Sequence, residues 1–244
     1  MSARVGFLAA SLLALSALAG CSHMPGKPGP GPEVPRPDSI LDPVVLFNQN
    51  CSGCHGADGK QGPAMMLSDP VYLAIVDDDT LRSVISKGRP GTAMSAFAQK
   101  EGGMLTDEQV SAIIRGMRDR WSKPNALGGD AAPAYSAKST GDPAHGQAAY
   151  ATYCASCHGS DGSGGPKAGS VVNHAYLSLI TDQGLRTIVI TGRPDFNAPD
   201  WRNNVPGHPM SDQEVTDVVA WLASQRPNRS AAAAPTSASP GGAQ

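Results

Sequence analysis

Two short segments of the chain place a pair of thiols next to an imidazole. Residues 51–55 read Cys-Ser-Gly-Cys-His, and residues 154–158 read Cys-Ala-Ser-Cys-His. Two thiols at this spacing can add to the two vinyl groups of one porphyrin, and the adjacent imidazole can then bind the iron. The doubled pattern therefore predicts two covalently attached haem c groups. The residues predicted to hold them are Cys51, Cys54, His55, Cys154, Cys157 and His158.

The cysteine count supports this interpretation. The chain has five cysteines, of which four lie in the two patterns and the fifth, Cys21, ends an N-terminal apolar segment. The alternatives are a zinc site, which would need further ligands, and a dithiol redox centre, which expects a βαβ context. We favour haem attachment because both patterns stand in matching surroundings.

The N-terminus has the features of an export signal. Arg4 precedes an apolar run, residues 5–19, that is shorter than the about 20 residues of a membrane-spanning helix. The run ends Leu-Ala-Gly-Cys21, which resembles the lipobox of bacterial lipoproteins and implies acylation of Cys21. We expect residues 1–20 to be a lipoprotein signal peptide and the protein to be lipid-anchored on the periplasmic side of a bacterial membrane. An ordinary cleavage site with an incidental cysteine is the alternative.

Charge and composition limit the kinds of partner and the size of the hydrophobic core. Lys and Arg total 19 against 21 Asp and Glu, a net charge of −2, and no basic run suggests a nucleic-acid surface. We therefore expect no nucleic-acid partner. Aromatic residues make up only 5% of the chain, so each half has a modest core of its own. A bound haem would enlarge that core, and we expect the halves to fold poorly without it.

Changes in composition divide the chain into segments. A Pro- and Gly-rich tether, residues 21–39, follows the signal peptide, and a second Gly/Ala/Pro/Ser stretch, residues 123–140, is expected to link two domains. The domains are predicted over residues 40–122 and 141–229. Residues 230–244 are of low complexity and are expected to be disordered.

The two domains are copies of one another. Residues 56–63 align with residues 159–166, and Gly88-Arg89-Pro90 matches Gly192-Arg193-Pro194. Each copy is predicted to end in a helix that begins with a capping box, at Thr106 in the first and Ser211 in the second. Apolar residues then follow at helical spacing. Further helices are expected over residues 43–50, 81–87, 143–153 and 185–191.

This order of helix, haem motif, Gly-rich loop, helix, ligand loop and terminal helix resembles class I cytochrome c. The resemblance covers nearly all of both repeats. It implies an all-α fold of two tandem class I cytochrome c domains, each a few helices wrapped around one covalently attached haem.

The resemblance also implies residues that support the haem. In the family, a proline carbonyl after the motif accepts a hydrogen bond from the proximal imidazole, which implies this role for Pro63 and Pro166. Generic turn chemistry is the alternative. Arg89 and Arg193 recur in both copies, and a guanidinium could pair with a haem propionate. A solvated surface position is the alternative for both arginines.

The sixth iron ligand in class I cytochrome c is a methionine on the loop before the terminal helix. Residues 91–97 resemble that loop, which implies Met94 as the ligand of the first iron. Met104 competes locally, but it stands just before the capping box and is expected to pack against the terminal helix. In the second repeat, counting from Gly-Arg-Pro places Ala198 where Met94 stands, and alanine cannot bind iron.

The second iron therefore needs another ligand or has none. We predict Met210, the nearest methionine, although it aligns with Leu105, an apolar position before the helix cap. The alternatives are an open or water-ligated iron and the side chains of His208 or His174. Either histidine would lower the reduction potential relative to a His/Met haem.

Together these features predict an electron-transfer protein with no catalytic residues. We expect a lipid-anchored dihaem cytochrome that passes single electrons between a redox donor and an acceptor of a respiratory or photosynthetic chain outside the cytoplasm. A second hypothesis is a peroxidase-like dihaem enzyme with an open second iron, which the Ala198 departure supports. A third is a cytochrome subunit that is docked permanently to a larger membrane complex.

Overall fold

The computed structural model describes residues 29, 31 and 33–227. The predicted signal peptide, Cys21, the start of the tether and the C-terminal tail lie outside the described residues. The described residues fall into two units, one ending at Ser39 and one beginning at Ile40. In the first unit, Pro37–Ser39 form a single 3-10 turn. None of the described helices is both long and apolar enough to cross a membrane.

The unit that begins at Ile40 is built from α-helices, as the sequence predicted. Over residues 40–227 the only β pairing is three isolated bridges. In the first repeat the helices are α1 (Pro43–Asn50), α2 (Ser52–His55), α3 (Pro70–Ile75), α4 (Asp78–Lys87) and α5 (Asp107–Trp121). In the second repeat they are α6 (Pro143–Tyr153), α7 (Ala155–His158), α8 (His174–Leu179), α9 (Asp182–Thr191) and α10 (Asp212–Ser224). Short 3-10 turns cover Gln99–Glu101 and Pro194–Phe196.

The helices that lead into the haem motifs, α1 and α6, begin in the same way. The side chains of Asp42 and Asp142 each accept two backbone N–H groups of the first turn, and a proline follows each at the first helical position. This pairing satisfies donors that the helix itself leaves free, and proline has no N–H to satisfy there. Both helices cover the predicted residues.

The terminal helices α5 and α10 begin with the predicted capping boxes. Thr106 Oγ1 accepts the Gln109 N–H at 3.1 Å, and Gln109 Oε1 accepts the Thr106 N–H at 3.0 Å. Ser211 and Glu214 form the same reciprocal pair in the second repeat. In both repeats the terminal helix packs against the helix that leads into the motif. The apolar stripe of α5 is buried, with Val110 and Ile113 at most 1% exposed.

Helices α3 and α8 were not expected from the sequence. Asp69 caps α3 by accepting the Tyr72 N–H at 2.8 Å, and Asn173 caps α8 by accepting the Tyr176 N–H at 3.1 Å. Both helices are short, so their apolar periodicity is weak, but Asp69-Pro70 is a helix-start signal that could have revealed the first.

The two repeats share buried surface. Val71 of α3 is 6% exposed and belongs to the core of the second repeat, together with Leu185 and Trp201. The segment predicted as a linker is bonded on both sides, because the Tyr135 hydroxyl accepts Arg89 Nη2 at 2.7 Å and the Tyr135 carbonyl accepts Gln183 Nε2 at 2.7 Å. The two repeats accordingly lie in one unit.

Candidate haem sites

Each Cys-x-x-Cys-His motif forms one helical turn at the end of a longer helix. Cys51 closes α1 by donating its N–H to Phe47 at 2.8 Å, and it accepts the His55 N–H at 3.0 Å. In the second repeat, Cys154 and His158 are related in the same way, also at 3.0 Å. A helical turn brings residues three and four apart to one face, so both thiols and the imidazole can meet a single macrocycle.

None of the four motif cysteines forms a disulfide bond. All four motif cysteines are free, and burial, assisted by the charge of Cys54, raises the pKa of Cys51 to about 12. Burial and the neighbouring Cys157 do the same for the pKa of Cys154, again to about 12. Burial therefore favours the neutral thiol at the first cysteine of each motif. Over the described residues, no group of three or more His, Cys, Asp or Glu side chains could hold a metal ion.

Each motif imidazole is held by one ring nitrogen. His55 is 9% exposed, and its Nδ1 lies 2.8 Å from the carbonyl oxygen of Met65. His158 Nδ1 lies 2.7 Å from the carbonyl oxygen of Gly169. Because a carbonyl can only accept, Nδ1 carries the proton and Nε2 remains available to iron. Two thiols outside any disulfide and an oriented imidazole on one helical turn fit covalent haem c.

The acceptor for each imidazole is not the predicted proline. Instead of Pro63, the carbonyl of Met65 accepts the first ring, because the Gly-Pro turn lies against the motif and Ala64 donates its N–H to Cys54 at 2.9 Å. The next carbonyl, that of Met65, then faces the imidazole.

The second repeat follows the same rule with a longer loop, so Pro166 is not the acceptor either. Ala168 donates its N–H to Cys157 at 3.1 Å, and the next carbonyl, that of Gly169, accepts the ring of His158. The acceptor is thus the residue after the one that bonds the second motif cysteine. Neither Met65 nor Gly169 carries a signal in its side chain, so sequence reasoning missed both.

The first imidazole is kept neutral by its surroundings. Burial lowers the pKa of His55, the hydrogen bond to Met65 acts in the opposite direction, and the positive charge of Arg193 lowers the pKa further. The net direction is downward, so the neutral form that binds iron is favoured at neutral pH.

The ligand loops have one backbone and different side chains. Arg89 donates its N–H to the carbonyl of Met94 at 2.9 Å, and Arg193 donates to that of Ala198 at 3.0 Å. The glycines before the two arginines have φ of +67° and +68°, a conformation that glycine adopts without strain. The structure therefore places Ala198 at the position of Met94, which is partly buried.

Met210 occupies a core position rather than a loop position. Its N–H donates to Trp201 at 2.9 Å, as the Leu105 N–H donates to Phe97 at 2.7 Å. Met210 is 3% exposed and Leu105 is 4% exposed. The Met210 sulfur lies 3.8 Å from Asn204 Nδ2.

The remaining candidates for sixth ligand are placed as follows. Met104 is 79% exposed, so the expectation that it packs against the terminal helix is wrong. The cause is its place in an exposed loop directly after the 3-10 turn Gln99–Glu101. His174 is exposed at the start of α8. His208 is also exposed, and its Nδ1 lies 3.2 Å from the hydroxyl of Tyr153, the residue before Cys154.

The two recurring arginines are bonded to protein groups. Arg89 donates to the Tyr135 hydroxyl, whereas Arg193 pairs with Asp195 at 2.9 Å and donates to the Gly62 carbonyl at 3.1 Å. Sequence reasoning missed Asp195 and Tyr135. The spacing of Arg193 and Asp195 was the available signal for the first; nothing local pointed to the second.

Comparison with known proteins agrees with this geometry. The family described as cytochrome c oxidase, cbb3-type, subunit III matches residues 38–115 and 141–222, one match for each repeat. The chain belongs to this family. Like other cytochromes c, its members are electron-transfer proteins that carry haem c, and this member contains the class I cytochrome c domain twice.

Two curated relatives of this cytochrome were found. The cbb3-type cytochrome c oxidase subunit CcoP of Azospirillum sp. (strain B510) is 31% identical over 134 residues, which are 50% of this chain and 40% of that protein. Cytochrome c55X of Stutzerimonas stutzeri is 30% identical over 88 residues, which are 35% of this chain and 70% of that protein. The cytochrome thus spans well under half the length of the CcoP subunit.

Among solved structures, the cytochrome is similar to a chain of the reducing HAO-like protein complex of Kuenenia stuttgartiensis. The match has a TM-score of 0.45 and 17% identity, and it covers 80% of this chain and 100% of the other. A likeness at this level carries no functional argument.

Proposed function

We propose that the chain is a dihaem c-type cytochrome, lipid-anchored at Cys21 on the periplasmic side of a bacterial membrane. It passes single electrons between a redox donor and an acceptor of a respiratory or photosynthetic chain. The observation that carries the proposal is the doubled motif turn, in which each imidazole is oriented by a backbone carbonyl. The residues that would hold the two haems are Cys51, Cys54, His55, Met94, Cys154, Cys157 and His158.

Haem c supplies a one-electron iron couple when it is bound. The protein's own residues hold the proximal rings, exclude water from the first imidazole and set the polarity around each site. The loop position before the terminal helix offers a thioether in the first repeat, Met94, and a methyl group in the second, Ala198. A thioether ligand raises the reduction potential, so the two sites would differ in potential and favour one direction of electron flow.

The haem content tests the proposal. A pyridine haemochrome assay of the exported protein is expected to give two haems c per chain, and a redox titration followed by absorbance is expected to resolve two one-electron steps. A content of one haem or none would contradict the dihaem assignment.

The membrane anchor is tested separately. Cys21→Ser is expected to release the cytochrome from the membrane fraction into the soluble periplasmic fraction, because a single acylated residue provides the attachment. Ser22→Ala is a matched control that leaves the acylated residue in place. Retention of the Cys21→Ser protein in the membrane fraction would contradict the anchor.

Ala198 favours a second candidate function. With no methionine at the loop position, the second iron would be open to a small ligand, as in a peroxidase-like dihaem enzyme. A high-spin signal that cyanide abolishes, together with peroxide turnover, would support the enzyme. Two low-spin haems whose spectra do not change on adding cyanide would support the electron carrier.

The relative that is an oxidase subunit favours a third candidate, a cytochrome docked permanently to a larger membrane complex. Co-purification of the wild-type protein with a stoichiometric membrane partner in mild detergent would support a docked subunit over a shuttle.

A further inference from the structure

An ion pair of the second repeat reaches into the haem loop of the first. Arg193 Nε and Nη2 each lie 2.9 Å from a carboxylate oxygen of Asp195. Arg193 Nη2 also donates to the Gly62 carbonyl at 3.1 Å, and Asp195 Oδ2 accepts the Gln61 N–H at 2.8 Å. The side chain of Asp195 is 1% exposed and that of Arg193 is 15% exposed, so the ion pair itself is shielded from water.

The loop that the ion pair holds lies directly against the first haem-binding turn. A Cβ atom on Gly62 would come within 2.3 Å of the Cys54 carbonyl oxygen and 2.7 Å of the His55 carbonyl carbon. Three residues later, the Met65 carbonyl orients the imidazole of His55. Any displacement of Gly62 is therefore passed to the residues that would hold the first haem.

The backbone conformation of Gln61 needs stabilisation from outside the first haem loop. Its φ of +61° lies in the left-handed region, which a residue with a side chain rarely adopts without compensation. The Gln61 N–H is the group that Asp195 accepts. A charge-assisted hydrogen bond to a buried carboxylate offsets the cost of this backbone conformation.

The first repeat has no equivalent of this contact. Gly91 stands where Asp195 stands in the second repeat, and the Arg89 guanidinium bonds to Tyr135 instead. The haem loop of the second repeat is closed by its own backbone, since Gly165 donates to Ala168 at 2.9 Å. The contact thus runs in one direction, from the second ligand loop to the first haem loop.

We propose that Arg193 and Asp195 form an inter-repeat clamp, which fixes the first haem loop against the second ligand loop and keeps a cation beside the first haem site. Both are positioning residues that act through Gln61, Gly62 and the backbone of the haem-binding turn. The inference rests on the proposed dihaem function.

Hydrogen exchange tests the mechanical part of the clamp in the full-length holoprotein. Asp195→Ala is expected to speed exchange of the Gln61 amide about tenfold, the factor that corresponds to one lost charge-assisted hydrogen bond. Arg202→Gln is the matched control, because it breaks a similar Arg–Asp pair with Asp200 in the same repeat without touching the first haem loop. Unchanged exchange in Asp195→Ala, or equal acceleration in the control, would overturn the clamp.

Redox potentials test the electrostatic part. A nearby cation stabilises the reduced site, which carries less positive charge, and a nearby anion destabilises it. Arg193→Gln is therefore expected to lower the potential of the titration step that Met94→Ala also affects, and Asp195→Ala is expected to raise it. Shifts of the same sign, or none, would show that the pair acts only as packing and would overturn this part.

A charge-preserving variant protects the test against misfolding. Arg193→Lys keeps the cation but cannot form the two-pronged contact, so the potential is expected to stay near that of the wild type while Gln61 exchange rises. If the wild-type protein shows two titration steps but the variants change neither the potentials nor the exchange of the Gln61 amide, the clamp alone is refuted. Wild-type protein with fewer than two haems would refute the proposed function instead.

Discussion

The two repeats have the same ligand-loop backbone and opposite choices of side chain along it. Where the first repeat has Met94 on the loop and Leu105 in the core, the second has Ala198 on the loop and Met210 in the core. The loops keep their shape because an arginine N–H closes each over the same number of residues, after a glycine with positive φ. The loop backbone therefore does not depend on whether methionine or alanine stands at this position.

The parts of the two repeats that hold the motif histidines differ much less than the ligand loops do. In both repeats the motif turn, the returning loop and the carbonyl that holds Nδ1 follow one rule, although the second loop is longer. The main contrast is burial, since His55 is buried and His158 is partly exposed. Differences between the two candidate haem sites are thus concentrated on the ligand loops rather than on the motif turns.

The largest effect is expected from removing the attachment thiols of one repeat. Cys51→Ser with Cys54→Ser, and separately Cys154→Ser with Cys157→Ser, are each expected to halve the haem content and to lower the melting temperature. The reason is that a small core loses a large apolar cofactor. Haemochrome assays and circular dichroism melts measure both quantities. Full haem content in either double variant would contradict covalent attachment at that motif.

The next effect concerns the loop ligand. Met94→Ala is expected to abolish the sulfur-to-iron absorption band and to lower one midpoint potential by on the order of tenths of a volt, since axial ligands tune haem potentials over a range of that order. Ala198→Met is expected to create a second such band. Met104→Ala, at an exposed position, is the control and is expected to leave the spectrum unchanged. A surviving band in Met94→Ala would exclude that residue as the ligand.

The core exchange between Leu105 and Met210 gives a matched pair of stability tests. Leu105→Ala and Met210→Ala are each expected to lower the free energy of unfolding by about 2–5 kcal/mol, because both remove a buried side chain. Denaturant titration measures the loss. If Met210 is also the sixth ligand of the second iron, as the sequence predicted, then Met210→Ala alone will alter the spectrum. An unchanged spectrum would assign Met210 to the core only.

A smaller effect is expected at the helix caps. Thr106→Ala and Ser211→Ala are each expected to lower the free energy of unfolding by about 1 kcal/mol, because each leaves an N–H of the first helical turn without its acceptor. Ser211→Ala is expected to lower the free energy of unfolding more than Thr106→Ala does, since Glu214 of that capping box also accepts the Tyr153 hydroxyl at 2.9 Å. Thr106→Ser keeps the acceptor and is expected to be neutral. Equal losses in the two alanine variants would show that the Tyr153 contact adds nothing.

The smallest effect is a pH dependence that only the second loop can show. The hydrogen bond from Arg193 lowers the pKa of Asp195, burial opposes it, and the Gln61 N–H lowers it further. Because the folded-state pKa lies below the unfolded value of about 3.9, this stabilisation is present above that pH and is lost as the pH falls through the folded-state pKa. Urea unfolding of the wild type and Asp195→Ala from neutral pH into acid should give a difference in the free energy of unfolding that shrinks as the pH falls below about 4. A difference that does not change with pH would contradict the assignment.

Local signals predicted most of the helices. Asp142-Pro143 and the Ser211–Glu214 capping box specify helix starts through contacts within one turn, so no tertiary information is needed. The Asp77 side chain likewise accepts the Thr80 N–H and begins α4, as an acidic run before a helix suggests. The motif turns α2 and α7 were not among the predicted helices, although the spacing of their cysteines and histidine is that of one helical turn.

Contacts that join distant segments could not be predicted in this way. The carbonyl of Met65 meets His55 only after the loop has folded back, and any residue type can supply a carbonyl. Arg193 reaches Gly62 from the other repeat, which no spacing along the chain reveals. The exposed position of Met104 depends on how its loop leaves the core.

The sharing of Val71 between repeats has a consequence for how the molecule can be dissected. Val71 and Ile75 come from the first half of the chain but pack in the core of the second, beside Leu185. A gene fragment that ends after the first repeat would carry these apolar side chains into water, and the complementary fragment would lack them. The two repeats are thus not separable modules, because cutting the chain between them would divide one core.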